Sequence, residues 1–514
     1  MSRGPALALA WIAVETALAL VSSRSHAQEA TRTPTPAAKT SLVWIVGDDD
    51  VGHAPSDVSP PSPGPSIGDR AGYDALFEGS SSRYTGRENR LELGVSGETR
   101  GFHPLLETRA ALLLGVDVTS LGDREGSVRF DDAGSRIELF THFSADVKRA
   151  SDGIGARLYP LYGDRERLGE TEALGVGGSV GPLRESPYAT ARGPVRAGRL
   201  WFELAKIRAY VVLKTASFAE PVLNAPAVEE TSYGVFGGVE SHWKRLVSFG
   251  FGAGYFEHGR IPGASFERAA TAAASARLAF VRGLTAPRAP ASFGNEAPPF
   301  DVRRETERAE GFAVGVEGAH IVQRLADFDH PGTTALAGAR AFALLGTLDR
   351  SWLEVRLALL ARDAGFVMRN APGVFPGQTT PAGARELAEL SALSSVGVRP
   401  FAPFSATLSL GVRRPAAVMT AAIDRLGQTT GATVVLEGPG QGELLPSGYA
   451  PVPVLDVRPE LALRASRMLE LLAWLGYRRD FNRARLVPDG NGSLTRSFAD
   501  PDRISFAIAA RAVW

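Results

Sequence analysis

Apolar and polar residues alternate one by one along much of this chain. In the last twelve residues Ile504, Phe506, Ile508, Ala510, Ala512 and Trp514 are apolar at every even position, and both charges, Arg503 and Arg511, fall on odd ones. A period of two puts the sets on opposite faces of a strand. The same holds for Phe249, Phe251, Ala253 and Tyr255 against Ser248, Gly250, Gly252 and Gly254. Leu353, Val355, Leu357 and Leu359 alternate with Glu354, Arg356 and Arg362 in register. Phe404 to Val412 alternates with Ser405, Thr407, Ser409, Gly411 and Arg413, and Leu455, Val457, Leu461 and Leu463 alternate with Asp456, Arg458, Glu460 and Arg464. Further strands are predicted near 91–99, 107–118, 136–146, 173–180, 197–205, 207–215, 232–242, 272–283, 311–322, 335–347, 386–399, 430–437 and 468–480.

Connections between these runs alternate in length. Short turns fall near Trp243–Arg245, Asp349–Arg350, Pro400 and Ser466, and a change of phase marks another at Ala205–Lys206. Gly- and Pro-bearing loops fall near 218–230, 258–270, 363–385, 438–453 and 481–502, while 284–310 breaks the rhythm by placing a long connection on the short side. A β-sandwich and a β-propeller also produce alternation. The small or charged second face and the short–long rhythm favour a membrane barrel, whose inner face is wet and whose turns are short at one end. Register is then pinned: slipping 455–465 by one residue would turn Asp456, Arg458, Glu460 and Arg464 to lipid, at roughly 2–4 kcal/mol each near the midplane. Pro403 and Pro459 cannot donate to a ladder and mark strand ends or bulges; 415–429 reads equally as strand or short helix.

The N-terminus adds a destination. Arg3, an apolar run from Ala6 to Val21 and the small residues Ser25 and Ala27 form a secretory signal, with cleavage expected after Ala27 despite Glu15 in its core. Residues 28–40 are rich in Thr, Pro and Ala and read as a tether. Ser41–Val46 could form a short strand, yet the Pro-rich run that follows it places all of 28–88 as a periplasmic extension or a lumen plug. Beyond Val21 no stretch has the length of a helical membrane span.

Composition narrows the function classes. The net charge is +0 with 22 % charged residues, so nucleic acid is not an expected partner. Cysteine is absent, which removes disulfides, thiolate metal sites, cysteine nucleophiles and a lipid anchor.

Together, the signal, the missing cysteine and the terminal alternating strand resemble the outer-membrane β-barrels of Gram-negative bacteria. The resemblance covers about residues 90–514 and identifies no characterised subfamily. It implies an all-β fold, a single transmembrane antiparallel barrel of about 18 strands within a range of 16 to 20. The expected organisation is a signal at 1–27, the extension or plug at 28–88 and the barrel at 89–514. It also implies a terminal signal for the barrel-assembly machinery in Phe506, Ile508 and Trp514, and contact with outer-membrane lipid and lipopolysaccharide. The oligomeric state is left open.

Within such a barrel the candidate functional residues are the inward charges Arg208, Lys214, Glu354, Arg356, Arg362, Glu389, Arg399, Arg413, Asp456, Arg458, Glu460, Arg464 and Arg511. Either they set the field of a pore or they pair and brace the wall. Arginines outnumber acids in this set by eight to four, which points to anionic solutes if the bore is open. The expected function is a porin-like channel for small hydrophilic solutes with weak anion preference; the alternative is a plugged barrel that binds through its long loops. No cofactor and no enzyme activity are implied, with a barrel hydrolase as a third option. Gly177–Gly181 matches G-x-S-x-G without the strand-to-helix turn that the motif needs. Asp48, Asp49, Asp50 and His53 offer oxygen and nitrogen ligands for a divalent cation, but not at the spacing of a calcium loop, and an acidic turn is the better reading.

Overall fold

In the computed structural model the alternating segments are long antiparallel strands joined edge to edge into a closed wall. The structure describes residues 37–48, 87–99, 105–117, 128–144, 152–161, 166–169, 171, 174–177, 196–220, 228–243, 246–261, 267–284, 310–369, 378–401, 403–423, 429–438, 441–446, 448–466, 468–488 and 494–514. The signal segment and its cleavage site, Asp49, Asp50, His53 and Gly178–Gly181 lie outside the described residues.

The wall opens with β1 (Ala37–Asp48), β2 (Arg87–Thr99), β3 (Leu106–Asp117), β4 (Val128–His142) and β5 (Gly153–Leu161). It continues through β6 (Arg196–Leu204), β7 (Ile207–Glu220), β8 (Val228–Trp243), β9 (Val247–Arg260) and β10 (Arg268–Arg282). Next come β11 (Gly311–Ala326), β12 (Thr334–Asp349) and β13 (Leu353–Arg362). The short β14 (Arg385–Leu387) leaves the wall, and β15 (Glu389–Phe401) and β16 (Phe404–Arg414) return to it. Three strands again stand off it, β17 (Ala416–Ile423), β18 (Thr429–Gly438) and β19 (Gln441–Leu444), forming a four-stranded sheet with β14. Wall strands β20 (Val454–Arg464) and β21 (Leu469–Arg479) follow, then a hairpin of β22 (Ala484–Pro488) and β23 (Leu494–Phe498), and β24 (Asp502–Val513) completes an 18-stranded sheet.

Closure comes from β1, which pairs on one side with β2 and on the other with β24, from Ser41↔Val513 to Asp48↔Phe506. Trp514 extends this seam: its N–H donates to the Thr40 carbonyl at 3.0 Å, and the Thr40 N–H donates back at 2.8 Å. Residues 37–48 are therefore wall, which corrects the assignment of the whole 28–88 segment to an extension or plug and moves the start of the barrel from 89 to Ala37. The physical reason is that two sheet edges cannot stay unpaired in a hydrocarbon environment, and β1 satisfies both.

Two other expectations fall elsewhere. Residues 174–177, from the strand expected at 173–180, lie inside the barrel, and 430–437 is a strand of the four-stranded sheet, not of the wall. The turn expected at Ala205–Lys206 joins β6 to β7 with both residues at positive φ, 51° and 73°, the twist a two-residue hairpin demands. Pro459 does sit within β20, and the ladder to β21 lapses at Arg458–Pro459 before resuming at Glu460. Strands β10 and β11 remain neighbours although 283–310 lies between them, at the same end as the short hairpins.

Faces follow the period. Leu200, Phe202, Leu213, Phe251, Leu278, Leu357, Leu408, Leu461 and Ile508 point outward and are exposed, a continuous apolar surface that water covers poorly. Between them, serine, alanine and charged side chains point inward. Among the described residues no helix is long and apolar enough to cross a membrane.

Candidate functional site

Two loops from the long-loop end turn into the bore. The first follows β5. Leu168 and Val176 form an antiparallel bridge, with N–H to carbonyl distances of 2.9 and 2.8 Å, and the Leu174 N–H donates to the Thr171 carbonyl at 2.9 Å. This turn buries Leu168, Leu174 and Val176 against the inner face of β7–β13, among Val212, Phe236, Phe256, Ile321 and a row of alanines on β12. The sequence makes room for it: a side chain at Gly252 would place its Cβ 2.7 Å from the Leu168 Cδ1 atom. Polar groups pin both ends. Lys214 Nζ donates to the carbonyls of Glu166 at 2.9 Å and Gly177 at 2.6 Å. Glu317, itself buried on β11, accepts from the Thr171 N–H at 2.9 Å and the Thr171 Oγ1–H at 2.6 Å.

The second loop follows β13. Asp363 and Arg340 exchange hydrogen bonds across the top of the ladder, after which Ala364–Val367 makes one helical turn. Phe366 is buried in the same cluster as Leu168 and Leu174, and Gln323 Nε2 donates to the Gly365 carbonyl at 3.0 Å. On its other side Ala364 and Val367 pack on Ala416 and Leu436 of the four-stranded sheet, which ties the external loops to the bore.

These loops cover the inner face of β8–β12, leaving the charged strands on either side. By strand parity the thirteen candidate residues share the face opposite the exposed leucines, with Arg464 itself exposed at the end of its strand. On the β13–β16 side Arg362 pairs with Glu389 at 2.8 Å, Arg356 with Glu354 at 2.5 Å, and Arg399 with both Glu354 at 2.6 Å and Asp349 at 3.2 Å. Arg413 acts electrostatically on Glu389. Farther round, Arg458 pairs with Glu460 at 2.9 Å, Asp456 with Arg478 at 3.8 Å and Arg511 with Glu470 at 3.7 Å, with Arg464 at the end of β20. Arg208 pairs with Glu203 at 2.7 Å, whereas Lys214 is given over to the first loop.

The structure adds inward charges that the sequence reading passed over. Arg157 binds Glu138 at 2.8 Å and Glu166 at 3.4 Å, and Arg199 binds Glu166 at 3.2 Å while stacking 4.1 Å over the Tyr210 ring. Glu138, Arg199 and Glu203 share the parity of their strands' polar faces, so the alternation could have found them; Arg157 lies on a strand that was missed. Water reaches part of this face: the Arg109 and Arg208 side chains are 44 % and 43 % exposed, and Arg511 is 30 % exposed. Near the rim, burial disfavours a charged Asp480, yet Arg478 and the Asn482 N–H outweigh it and hold the carboxyl below its usual range. Among the described residues no three or more His, Cys, Asp or Glu side chains come together as metal ligands.

No family model matches the chain, and no curated protein does. Solved structures similar to it include a BenF-like porin from Pseudomonas fluorescens, with TM-score 0.45, 8 % identity, and coverage of 94 % of this chain and 100 % of that one. OccAB1 of Acinetobacter baumannii is similar at TM-score 0.43 and 9 % identity, covering 93 % and 96 % of the two chains. OccK1 (OpdK) of Pseudomonas aeruginosa is similar at 0.40 and 11 %, covering 93 % and 99 %. The barrel stands on the chain's own strand pairing, and this likeness assigns it no solute.

Proposed function

We propose that the chain is an outer-membrane channel through which small hydrophilic solutes diffuse passively, with a modest preference for anions. The observation that carries this reading is the contrast of faces: exposed leucines and phenylalanines outside, paired and partly solvent-accessible charges inside. A lipid-facing charge is costly and a lumen charge is not, so this distribution suits a wet bore in a bilayer. A barrel of this strand number is wide enough to hold water.

The residues would act by position. Inturned loops narrow the path on the β8–β12 side and leave solutes the charged sectors. Ion pairs hold the long arginine side chains against the wall, so the bore keeps its width. Because most arginines are matched by carboxylates on the same or a neighbouring strand, the field is weaker than a ratio of eight to four suggests. Phe506, Ile508 and Trp514 at the seam would serve assembly, and the outer girdle would contact lipid.

Reversal potential in a salt gradient tests the preference. Chloride should be favoured over potassium, and Arg511→Glu should shift the potential towards cations. A cation-preferring wild type would overturn the anion reading. A second reading, a plugged barrel that binds through its loops, is favoured by how much of the inner face the two loops cover. Folded protein that passes no current would select it.

A further inference from the structure

Cross-strand register resolves the outer face of β9–β12 into rows. The lower rows are wholly apolar or small: Phe249, Leu278, Val316 and Leu344 in one, and Phe251, Ala276, Gly318 and Phe342 in the next. The row above changes character, running Ala253, Ala274, His320, Arg340 and then Asp363, whose N–H donates to the Arg340 carbonyl and whose carboxylate accepts from the Arg340 N–H. Two residues higher stand Tyr255, Ala272, Val322 and Gly338, and two higher again Ala270, Arg324 and Leu336. His320, Arg324 and Arg340 are exposed on the same face as Val322, Leu336 and Phe342, so they look outward and not into the bore. This is where the apolar girdle ends: β13 gives way at Asp363, and Arg414 and Arg479 are outward charges at the corresponding ends of β16 and β21.

The patch is cationic and set among small residues. Ala272, Ala274 and Gly338 lie between the basic residues. Gly338 lies open enough that a Cβ there would meet the His320 Cε1 atom only at 3.7 Å, so the imidazole leans over Gly338 towards Arg324's row. Arg340 and His320 are directly opposed on adjacent strands, a pairing that two basic groups do not favour. The nearby carboxylates have other work: Asp363 accepts the Arg340 backbone N–H at 2.9 Å, and Glu257, beside Ala270, pairs with Arg268. Positive charge at the upper edge of a lipid-facing surface attracts anionic headgroups.

We propose that His320, Arg324 and Arg340 form a binding site on the outside of the barrel for the phosphate of an outer-leaflet glycolipid, whose acyl chains lie on Val316, Val322 and Phe342. The site rests on the outer-membrane reading above but not on conduction, since none of the three residues faces the bore.

Native mass spectrometry of the folded, detergent-purified chain with bis-phosphorylated lipid A tests it, with dephosphorylated lipid A and inorganic phosphate as the other arms. The phosphorylated lipid should bind preferentially, and inorganic phosphate should fail to displace it. Arg324→Gln with Arg340→Gln should weaken binding by about fivefold for each arginine. Arg324→Lys with Arg340→Lys should retain it, which separates charge from damage to the wall. Conductance should be unchanged in both variants. Equal binding of the dephosphorylated lipid would overturn the proposal, as would displacement by inorganic phosphate or undiminished binding in the glutamine variant. Folded protein that does not enter bilayers would instead refute the membrane reading itself.

Discussion

Replacing Leu174 with aspartate should swing the first loop out of the bore and raise the conductance. Leu174 is fully buried beside Leu168, Val176, Phe236 and Phe366. Removing a leucine from such packing costs about 2–5 kcal/mol, and a buried carboxylate without a partner adds several more. The bonds that remain, from Lys214 to two carbonyls, from Thr171 to Glu317 and from Arg157 and Arg199 to Glu166, are charge-assisted and worth roughly 1.5–3 kcal/mol each at most. A penalty near 5.5 kcal/mol suffices to turn a population of 99:1 into 1:99. The wall keeps its ladder throughout, because among the described residues no wall strand pairs with this loop. Single-channel currents in planar bilayers read the outcome, and trypsin cleavage at Arg167 reports independently whether the loop has left. Cleavage at Arg167 together with wild-type conductance would refute the claim that the loop narrows the path.

Further outcomes follow from the wall and its rim. Leu408→Arg turns a charge to lipid near the middle of β16 and should cost about 2–4 kcal/mol in refolding titrations with vesicles, whereas Ser409→Arg, one residue on and inward, should cost far less. Deleting 37–48 should abolish the folded, heat-modifiable form, because β2 and β24 both lose a partner; a folded product would contradict the closure described here. Asp480 has a folded pKa below its unfolded one, so it contributes stability above the unfolded value near 4 that is lost as pH falls through the folded value. Hydrogen exchange around Asn482, whose N–H donates to Asp480 at 2.9 Å, should therefore quicken on acidification and be insensitive to that change in Asp480→Asn.

The barrel was legible because lipid and lumen impose a two-residue period on every strand, and residues such as Leu461 and Arg458 announce their faces. The expected total of eighteen strands agrees with the wall, although two assignments offset two omissions. The 173–180 run alternates Leu174 and Val176 with glycine, yet its apolar side meets the inner wall instead of lipid; periodicity reveals that a face is buried, not what buries it. Residues 430–437 are likewise expected in the wall, yet Val435 among them packs with Ala417 and Leu445 in a core of the four-stranded sheet. Conversely, β5 carries Gly153, Gly155 and Tyr159 inward beside Pro160, too little contrast for alternation to register. Ser41–Val46 is nearly all apolar, and the prolines after it mask a strand whose role depends on a partner more than 450 residues away in sequence.

The candidate site was half legible. Parity alone placed Arg356, Arg399 and Arg458 inward. Arg356 and Arg458 meet Glu354 and Glu460 two residues away on their own strands, whereas the pairs of Arg399 with Glu354 and Asp349 and the descent of two loops into the bore depend on contacts remote in sequence, such as Thr171 with Glu317.

A hydrated, charge-lined interior within an apolar shell is the central claim, and a chain without cysteine allows it to be tested residue by residue. In bilayers, Arg511→Cys should react with a membrane-impermeant thiol reagent and its current should fall, while Ile508→Cys should stay unreacted with its current intact. Labelling of Ile508→Cys as fast as Arg511→Cys, or no current from either folded variant, would contradict the account.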